Sequence, residues 1–364
     1  MPSRLRVGLI GLGKVAQDIH VPACRAVSDL EIACACEPDN TRRQAFETRT
    51  GVPVRYSDAA DMLASEHHDL VIVATPPQTH FDLCLLALQR AAHVFCEKPF
   101  VASLPQADAL IAAADARGRL LWVNNQYRHM KMYAETQARL ARGDFGRAYF
   151  LQCWQQMYHP PSMERNWRAQ LEQSTLFEFG THALDLVCFF FDALPLSVSA
   201  HMPRVQPDTQ ADVLVQMSMR FPEQRLATLA FNRVSRAPER YLEMRLDCEQ
   251  ASLRMSLGGV ARASLDWSRS LGHPIVRFGL VRGGEARAER GGRSRVIAVE
   301  PRPAFASATA ERLRQFAAAI RSGQRSNAVA RQARDVLAIA LAGYESARSD
   351  STVQLVFPSQ GVTS

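Results

Sequence analysis

"RLRVGLIGLGKVAQ", residues 4–17, runs from an apolar strand pattern through a glycine turn into a helical pattern. At the junction, Gly11-Leu12-Gly13-Lys14-Val15-Ala16 spells G-x-G-x-x-A. The first glycine permits a tight turn, the second lets the backbone approach a pyrophosphate, and the small third residue lets the helix pack on the strand. A helix opening there offers unpaired N–H groups and the positive end of its dipole to phosphate. The hexapeptide alone is a weak signal, and its weight comes from the strands and helices downstream of it.

Four more short apolar runs lie within the first 125 residues: "EIACAC", "DLVIVAT", "HVFC" and "RLLWVN". Helical patterns separate them, "KVAQDIHVPACRAV" first and "LPQADALIAAADARG" last. Strict alternation of strand and helix implies a parallel sheet with helices on both faces. Strands rich in Val and Ile fit burial on both sides. Beyond about residue 125 come longer, alternating runs such as "AYFLQCWQQM", "DVLVQMSMRF", "RLATLAFNRVS" and "YLEMRLDCEQASLRMSL", then two final helical patterns. The expected fold is α/β. Residues 1–125 form a doubly wound parallel sheet of Rossmann type. Residues 126–364 form an α/β domain with a large, mostly antiparallel open sheet, the final helices being able to pack back on the first domain.

With 364 residues, 47% of them hydrophobic and 22% charged, the composition is that of an ordinary globular protein. No apolar run approaches the roughly 20 residues that cross a bilayer, and the N-terminus lacks a cleavable-signal pattern. Together these lead to the expectation of a cytoplasmic protein with no membrane partner. Eight scattered cysteines without a C-x-x-C read as core residues in a reducing compartment, and no metal site is expected. The net charge of +7 is not arranged as a nucleic-acid face. Much of it lies in "VRGGEARAERGGRSR", residues 281–295, which reads as an exposed Arg/Gly-rich loop.

Three positions stand out chemically. Glu37 comes just after the second strand, where a carboxylate can accept from both ribose hydroxyls of an adenosine and would repel a 2′-phosphate. NAD is therefore expected, with NADP possible because Arg42 and Arg43 stand nearby. Asp39 reads as a helix N-cap. Lys98 ends the buried run "HVFC" in Glu97-Lys98-Pro99, and only three of the 43 Lys plus Arg are lysine. In an open parallel sheet, ligands sit beyond the carboxyl ends of the strands. An amine there can lose its proton when desolvated, which a guanidinium cannot do. Glu97 reads as a positioning residue. His182, in Gly180-Thr181-His182-Ala183-Leu184-Asp185, shares a helix face with Asp185 and is the second candidate for moving a proton.

With the glycine turn and "CEKP" together, the chain resembles the glucose–fructose oxidoreductase / inositol dehydrogenase / rhizopine-catabolism (Gfo/Idh/MocA) family of NAD(P)-dependent dehydrogenases. "VIVATPPQTHFDLCLLAL" is similar to that family's fourth strand and T-P-x-x-x-H loop. "VNNQYR" is similar to its link into the second domain, and "NWRAQ" with "LFEFGTHALDL" to its W-R and D-x-G-x-H-x-x-D signature. The resemblance implies hydride transfer between a nicotinamide and a secondary hydroxyl of a sugar, inositol, sugar acid or nucleotide-sugar. It implies Lys98 and His182 as an acid/base pair whose division of labour stays open, and a possible cis peptide at Pro99. Thr75, Pro76, His80 and Gln126 would join Gly11, Gly13, Lys14, Val15, Ala16, Glu37 and Glu97 around the cofactor. Tyr158, Trp167, Arg168 and Glu178 would line the substrate pocket with Lys98 and His182. A homodimer or homotetramer through the second sheet is implied as well. The signature's first Asp is Glu178 here, which bears on substrate placement. A non-catalytic NAD-binding regulator on the same fold is the alternative.

Overall fold

The computed structural model describes residues 3–164, 167–236, 240–258, 260–267, 274–281 and 283–358. Its first sheet contains β1 (Leu5–Ile10), β2 (Leu30–Cys36), β3 (Val54–Tyr56), β4 (Leu70–Val73), β5 (His93–Cys96) and β6 (Leu121–Val123). They run parallel in the order β3-β2-β1-β4-β5-β6. The order reverses between β1 and β4, which opens a crevice at their carboxyl ends. β4 and β5 are buried at every residue, as their unalternating Val and Ile required.

The second sheet contains β7 (Ala148–Gln156), β8 (Ser197–His201), β9 (Leu214–Arg220), β10 (Leu226–Asn232), β11 (Leu242–Cys248) and β12 (Ser252–Leu257). A separate two-stranded ribbon pairs β13 (Val260–Trp267) with β14 (Pro274–Val281). β15 (Gly284–Arg290), β16 (Arg293–Glu300) and β17 (Val353–Gln354) complete the second sheet, ordered β16-β15-β12-β11-β7-β10-β9-β8-β17. Only β7 and β10 pair in parallel there, and the other pairings are antiparallel. The strands alternate buried and outward residues, and the buried ones join the helix Thr181–Phe191 in one apolar core.

The helix Ala304–Arg321 lies on the first sheet. Its Phe316 packs against Phe95 at 5.7 Å and Trp122 at 4.9 Å between ring centroids. The helix Ala328–Ser349 reaches both cores, with Ala330 and Ala333 in one and Val336 and Ile339 in the other.

Three expectations need correcting. The segment 281–295 is not an exposed loop: from Gly284 it forms the β15–β16 hairpin, turned at Gly291 and Gly292 with φ of +54° and +72°. Positive φ at both central positions matches the twist of a two-residue hairpin. Ala286 is buried, Arg287 on the opposite face is partly exposed, and Arg290 beside the turn is exposed. The first helix forms where expected but is not α throughout: Ala16–His20 is wound as a π turn before it continues as Val21–Arg25. Pro22 has no N–H to give to the carbonyl one turn back. Finally, β3 and the helix Ala59–Ser65 lie in a stretch whose patterning announces neither.

Candidate active site

The glycine turn lies at the mouth of the β1/β4 crevice. Gly11 has φ +87°, and a Cβ there would come within 2.9 Å of the Ala74 carbonyl. A Cβ on Gly13 would meet nothing within 4 Å, so its backbone faces open space large enough for a phosphate. Lys14 is exposed and pairs with Asp18. Buried Ala16 is the packing residue that the motif requires. The cleft has a volume of about 550 Å³ and runs from Gly13, Val15 and Glu37 past Thr75 and Pro76 to Glu97, Lys98 and Glu178.

Glu37 is buried, and its carboxylate accepts from the Leu12 N–H at 3.1 Å and the Asp39 N–H at 3.3 Å. Those bonds aim it into the cleft beside the glycine turn. Asp39 caps the helix Asn40–Thr50, accepting from the Arg42 N–H. Arg43 bonds the carbonyls of Glu37 and Pro38, while Arg42 lines the cleft. A carboxylate at the ribose position and an open glycine backbone fit an adenine dinucleotide.

Glu97 and Lys98 leave β5 as one unit. The Glu97 carboxylate accepts from His20 Nε2 at 2.8 Å, Asn124 Nδ2 at 2.7 Å and the Lys98 N–H at 3.1 Å. Burial raises its pKa, but His20, Asn124 and Lys98 outweigh that and hold it below the ordinary value. The Lys98–Pro99 peptide is cis. Lys98 Nζ donates to the Glu178 carbonyl at 3.0 Å. Burial pushes the Lys98 amine below its ordinary pKa, with Arg168 adding to the shift and Glu178 and Glu97 opposing it.

Glu178 arrives on a π turn, Thr175–Phe179, that leads into the helix Thr181–Phe191. Asp212 holds the start of that turn, its carboxylate accepting from the N–H groups of Ser174, Thr175 and Leu176. Gly180 is needed at the junction, because a Cβ there would lie 2.7 Å from the Leu176 carbonyl oxygen. Glu178 Oε1 receives both Nε and Nη2 of Arg168, at 2.7 and 2.6 Å, while Oε2 is buried with no partner. The Arg168 guanidinium also stacks on Trp167, 4.4 Å from its centroid.

His182 is buried and stacks on Tyr127 at 3.8 Å, with an interplanar angle of 6°. Burial first, and then the Lys98 charge, push its pKa well below the ordinary value, so the ring is neutral. Its Nδ1 has no partner. Asp185 engages Arg128 and Asn125.

The other expected site residues divide. Thr75, Pro76, Trp167 and Arg168 line the cleft. His80 is buried beneath it, bonding the carbonyls of Thr75, Pro99 and Phe100, so it ties the two loops together. Gln126 is buried in the turn Gln126–His129. Tyr158 is exposed at the end of β7, under the Arg236 guanidinium, and is not among the cleft's lining residues. Sequence reading missed His20, Asn124, Tyr127 and Asp212. The signals were a histidine four residues beyond Ala16 in the first helix and, for Asn124 and Tyr127, their place in "VNNQYR". Among the described residues one trio, Cys34, Glu66 and His68, brings metal-ligating atoms within 4.8 Å of one another. It lies away from the cleft, and Arg6, Arg55 and Tyr56 already occupy the Glu66 carboxylate.

The family model described as an oxidoreductase family with an NAD-binding Rossmann fold matches residues 5–125, and the GFO/IDH/MocA C-terminal domain model matches residues 133–254. An uncharacterized oxidoreductase, YdgJ, of Escherichia coli K12 is 28% identical over 229 residues, 62% of this chain and 64% of its own length. The D-apiose dehydrogenase of Paraburkholderia graminis is 31% identical over 193 residues, 52% of this chain and 50% of its own. The matched region thus spans between half and two thirds of these relatives. A solved Agrobacterium radiobacter oxidoreductase, in complex with NAD+, L-tartaric acid and magnesium, superposes with a TM-score of 0.80. It shares 20% identity over 97% of this chain and 98% of its own, a likeness of fold. Among the described residues no helix is long and apolar enough to cross a membrane.

Proposed function

This chain belongs to the GFO/IDH/MocA oxidoreductase family, its first domain being an NAD-binding Rossmann fold, and from that premise we propose that it is an NAD-dependent dehydrogenase of a secondary hydroxyl on a sugar or polyol. The observation that carries the reading is one cleft joining the glycine turn and Glu37 to Lys98 and Glu178.

In this reading Gly11, Gly13 and the first turn of the helix hold the pyrophosphate, and Glu37 holds the adenosine ribose. Thr75 and Pro76, which line the same cleft, would flank the dinucleotide. The bound nicotinamide supplies an acceptor for the carbinol hydride. Lys98 takes the hydroxyl proton on Nζ, an amine whose pKa burial lowers from its ordinary value. Glu97, held by His20 and Asn124, fixes the backbone of Lys98. Neutral His182, beside Lys98, orients the same oxygen and can relay the proton. The cleft also takes in Trp167, whose ring offers an apolar face to a sugar.

The same reading joins copies through the second sheet as a homodimer or homotetramer. Exposed Tyr149, Trp154, Val296 and Val299 on its strands support that, and light scattering tests it. The decisive experiment for the activity is a panel of inositols, aldoses, sugar acids and UDP-sugars with NAD, monitored by NADH absorbance. Turnover on at least one member is expected. Tight NAD binding with no turnover across the panel would replace this reading with that of an NAD-binding regulator.

A further inference from the structure

Resting on the dehydrogenase reading, we propose that the Arg168–Glu178 pair is a specificity filter: the site takes a neutral vicinal diol and rejects substrates with a carboxylate beside the reacting carbon. An arginine opening onto a sugar site is ordinarily read as a carboxylate or phosphate receptor. Here its fork is already engaged. Arg168 Nε and Nη2 both point at Glu178 Oε1, at 2.7 and 2.6 Å, and its flat face lies on Trp167. The other charged groups lining the cleft, among the described residues, are Lys14, Glu37, Arg42, Asp58 and Asp82, and Glu97 with Lys98 at the reacting end.

The remaining polar atom of the pair is an acceptor. Glu178 Oε2 is buried without a partner in a residue that is 2% exposed. A buried carboxylate oxygen calls for a hydrogen-bond donor. A hydroxyl can donate to it, and a carboxylate cannot. Glu178 also receives Lys98 Nζ on its own main-chain carbonyl, at 3.0 Å. One hydroxyl donating to Oε2 and a second giving its proton to Lys98 would thus both be held at residue 178, an arrangement that suits a diol.

Charge state favours the same choice. With Lys98 in the neutral form that accepts a proton, the charged side chains lining the reacting end are Glu97, Glu178 and Arg168, two negative and one positive, while His20 bonds Glu97 and the Arg233 charge also reaches Glu178. Each turnover with an anionic substrate would bring like charge into a desolvated site. The departure at residue 178 makes this possible, since the longer Glu side chain reaches Arg168 while its backbone stays on Lys98.

The test compares kcat/KM for neutral polyols and aldoses with that for the matching aldonates and uronates, using NAD and the full chain. The neutral members are expected to lead by roughly 100-fold. Thermal shift in the presence of NADH provides a readout without turnover, and neutral polyols should raise Tm where aldonates do not. Glu178→Gln removes the negative charge and loosens Arg168, and circular dichroism checks its folding. It should lose about tenfold or more on neutral substrates and bring the neutral-to-anionic ratio to within about tenfold. NADH formed preferentially from aldonates or uronates by the wild type would overturn the filter while leaving the dehydrogenase reading intact. A Glu178→Gln variant that folds and keeps the wild-type ratio would overturn it as well. No turnover on either class, with no Tm shift from neutral polyols, would instead overturn the reading on which the filter rests.

Discussion

Replacing Lys98 by Arg and, separately, by Met separates positive charge from basicity. Lys98 Nζ lies 3.0 Å from the Glu178 carbonyl, and burial lowers its pKa. A guanidinium keeps the charge and gives up no proton at any practical pH. A positioned base contributes about 10²–10⁴ in rate, which at 1.36 kcal/mol per decade is about 3–5 kcal/mol. The lost bond to Glu178 adds about 1 kcal/mol. Both variants are therefore expected to lose about 10³-fold or more in kcat. NAD affinity should stay within about threefold, because the glycine turn and Glu37 are remote from the substitution. Initial rates of NADH formation measure the first quantity, and quenching of protein fluorescence by NADH measures the binding. If Lys98→Arg stays within tenfold of wild type, the residue supplies charge and takes no proton, and the assignment of the base is wrong.

Three further outcomes are expected. Glu37→Gln keeps an acceptor for the Leu12 N–H but removes the charge that repels a 2′-phosphate, so the NADP-to-NAD ratio of kcat/KM should rise roughly tenfold or more. His20→Leu leaves Glu97 without its 2.8 Å partner. Glu97 then protonates more easily, its support for the charged Lys98 falls, and the Lys98 limb of the pH profile should move to lower pH; a purely structural His20 would change Tm and leave that limb in place. Asp335 has its pKa raised by burial to about 6, with Asp108 adding and Arg334 opposing. A carboxyl with a raised folded-state pKa favours folding below its unfolded pKa and loses that contribution as pH rises through 6. Asp335→Asn should therefore raise stability at pH 8 by about 1–3 kcal/mol and change little at pH 4, as read by thermal melts.

Apart from β3, the first sheet was legible because its signals are local. A glycine turn, unalternating Val and Ile, and a carboxylate after the second strand all lie within a few residues of the features they specify. Lys98 was legible for a second reason, the near absence of lysine elsewhere. The first strand of the β15–β16 hairpin was not, because its arginines read as loop composition and the pairing of Ala286 with Ala298 is what reveals it. The supports of the site were hidden by distance: His20 and Glu97 are 77 residues apart, and Lys98 and Glu178 are 80. Spacing gave only a shared helix face for His182 and Asp185, and the partner of Asp185, Arg128, lies 57 residues away. Tyr158 and His80 lie outside the cleft's lining, since a sequence segment does not say which way a side chain turns.

The pH dependence of kcat/KM for oxidation tests the central claim, that a desolvated lysine accepts the proton, most directly. Lys98 must be neutral to act, so the rate should rise with pH through an apparent pKa below the ordinary lysine value of 10.5 and level off above it. His182 titrates well below 6.5 and should contribute no limb above that pH. The account predicts one ascending limb above pH 6.5 that persists in His182→Asn. A limb below pH 6.5 that disappears in His182→Asn would make the histidine the base and contradict it.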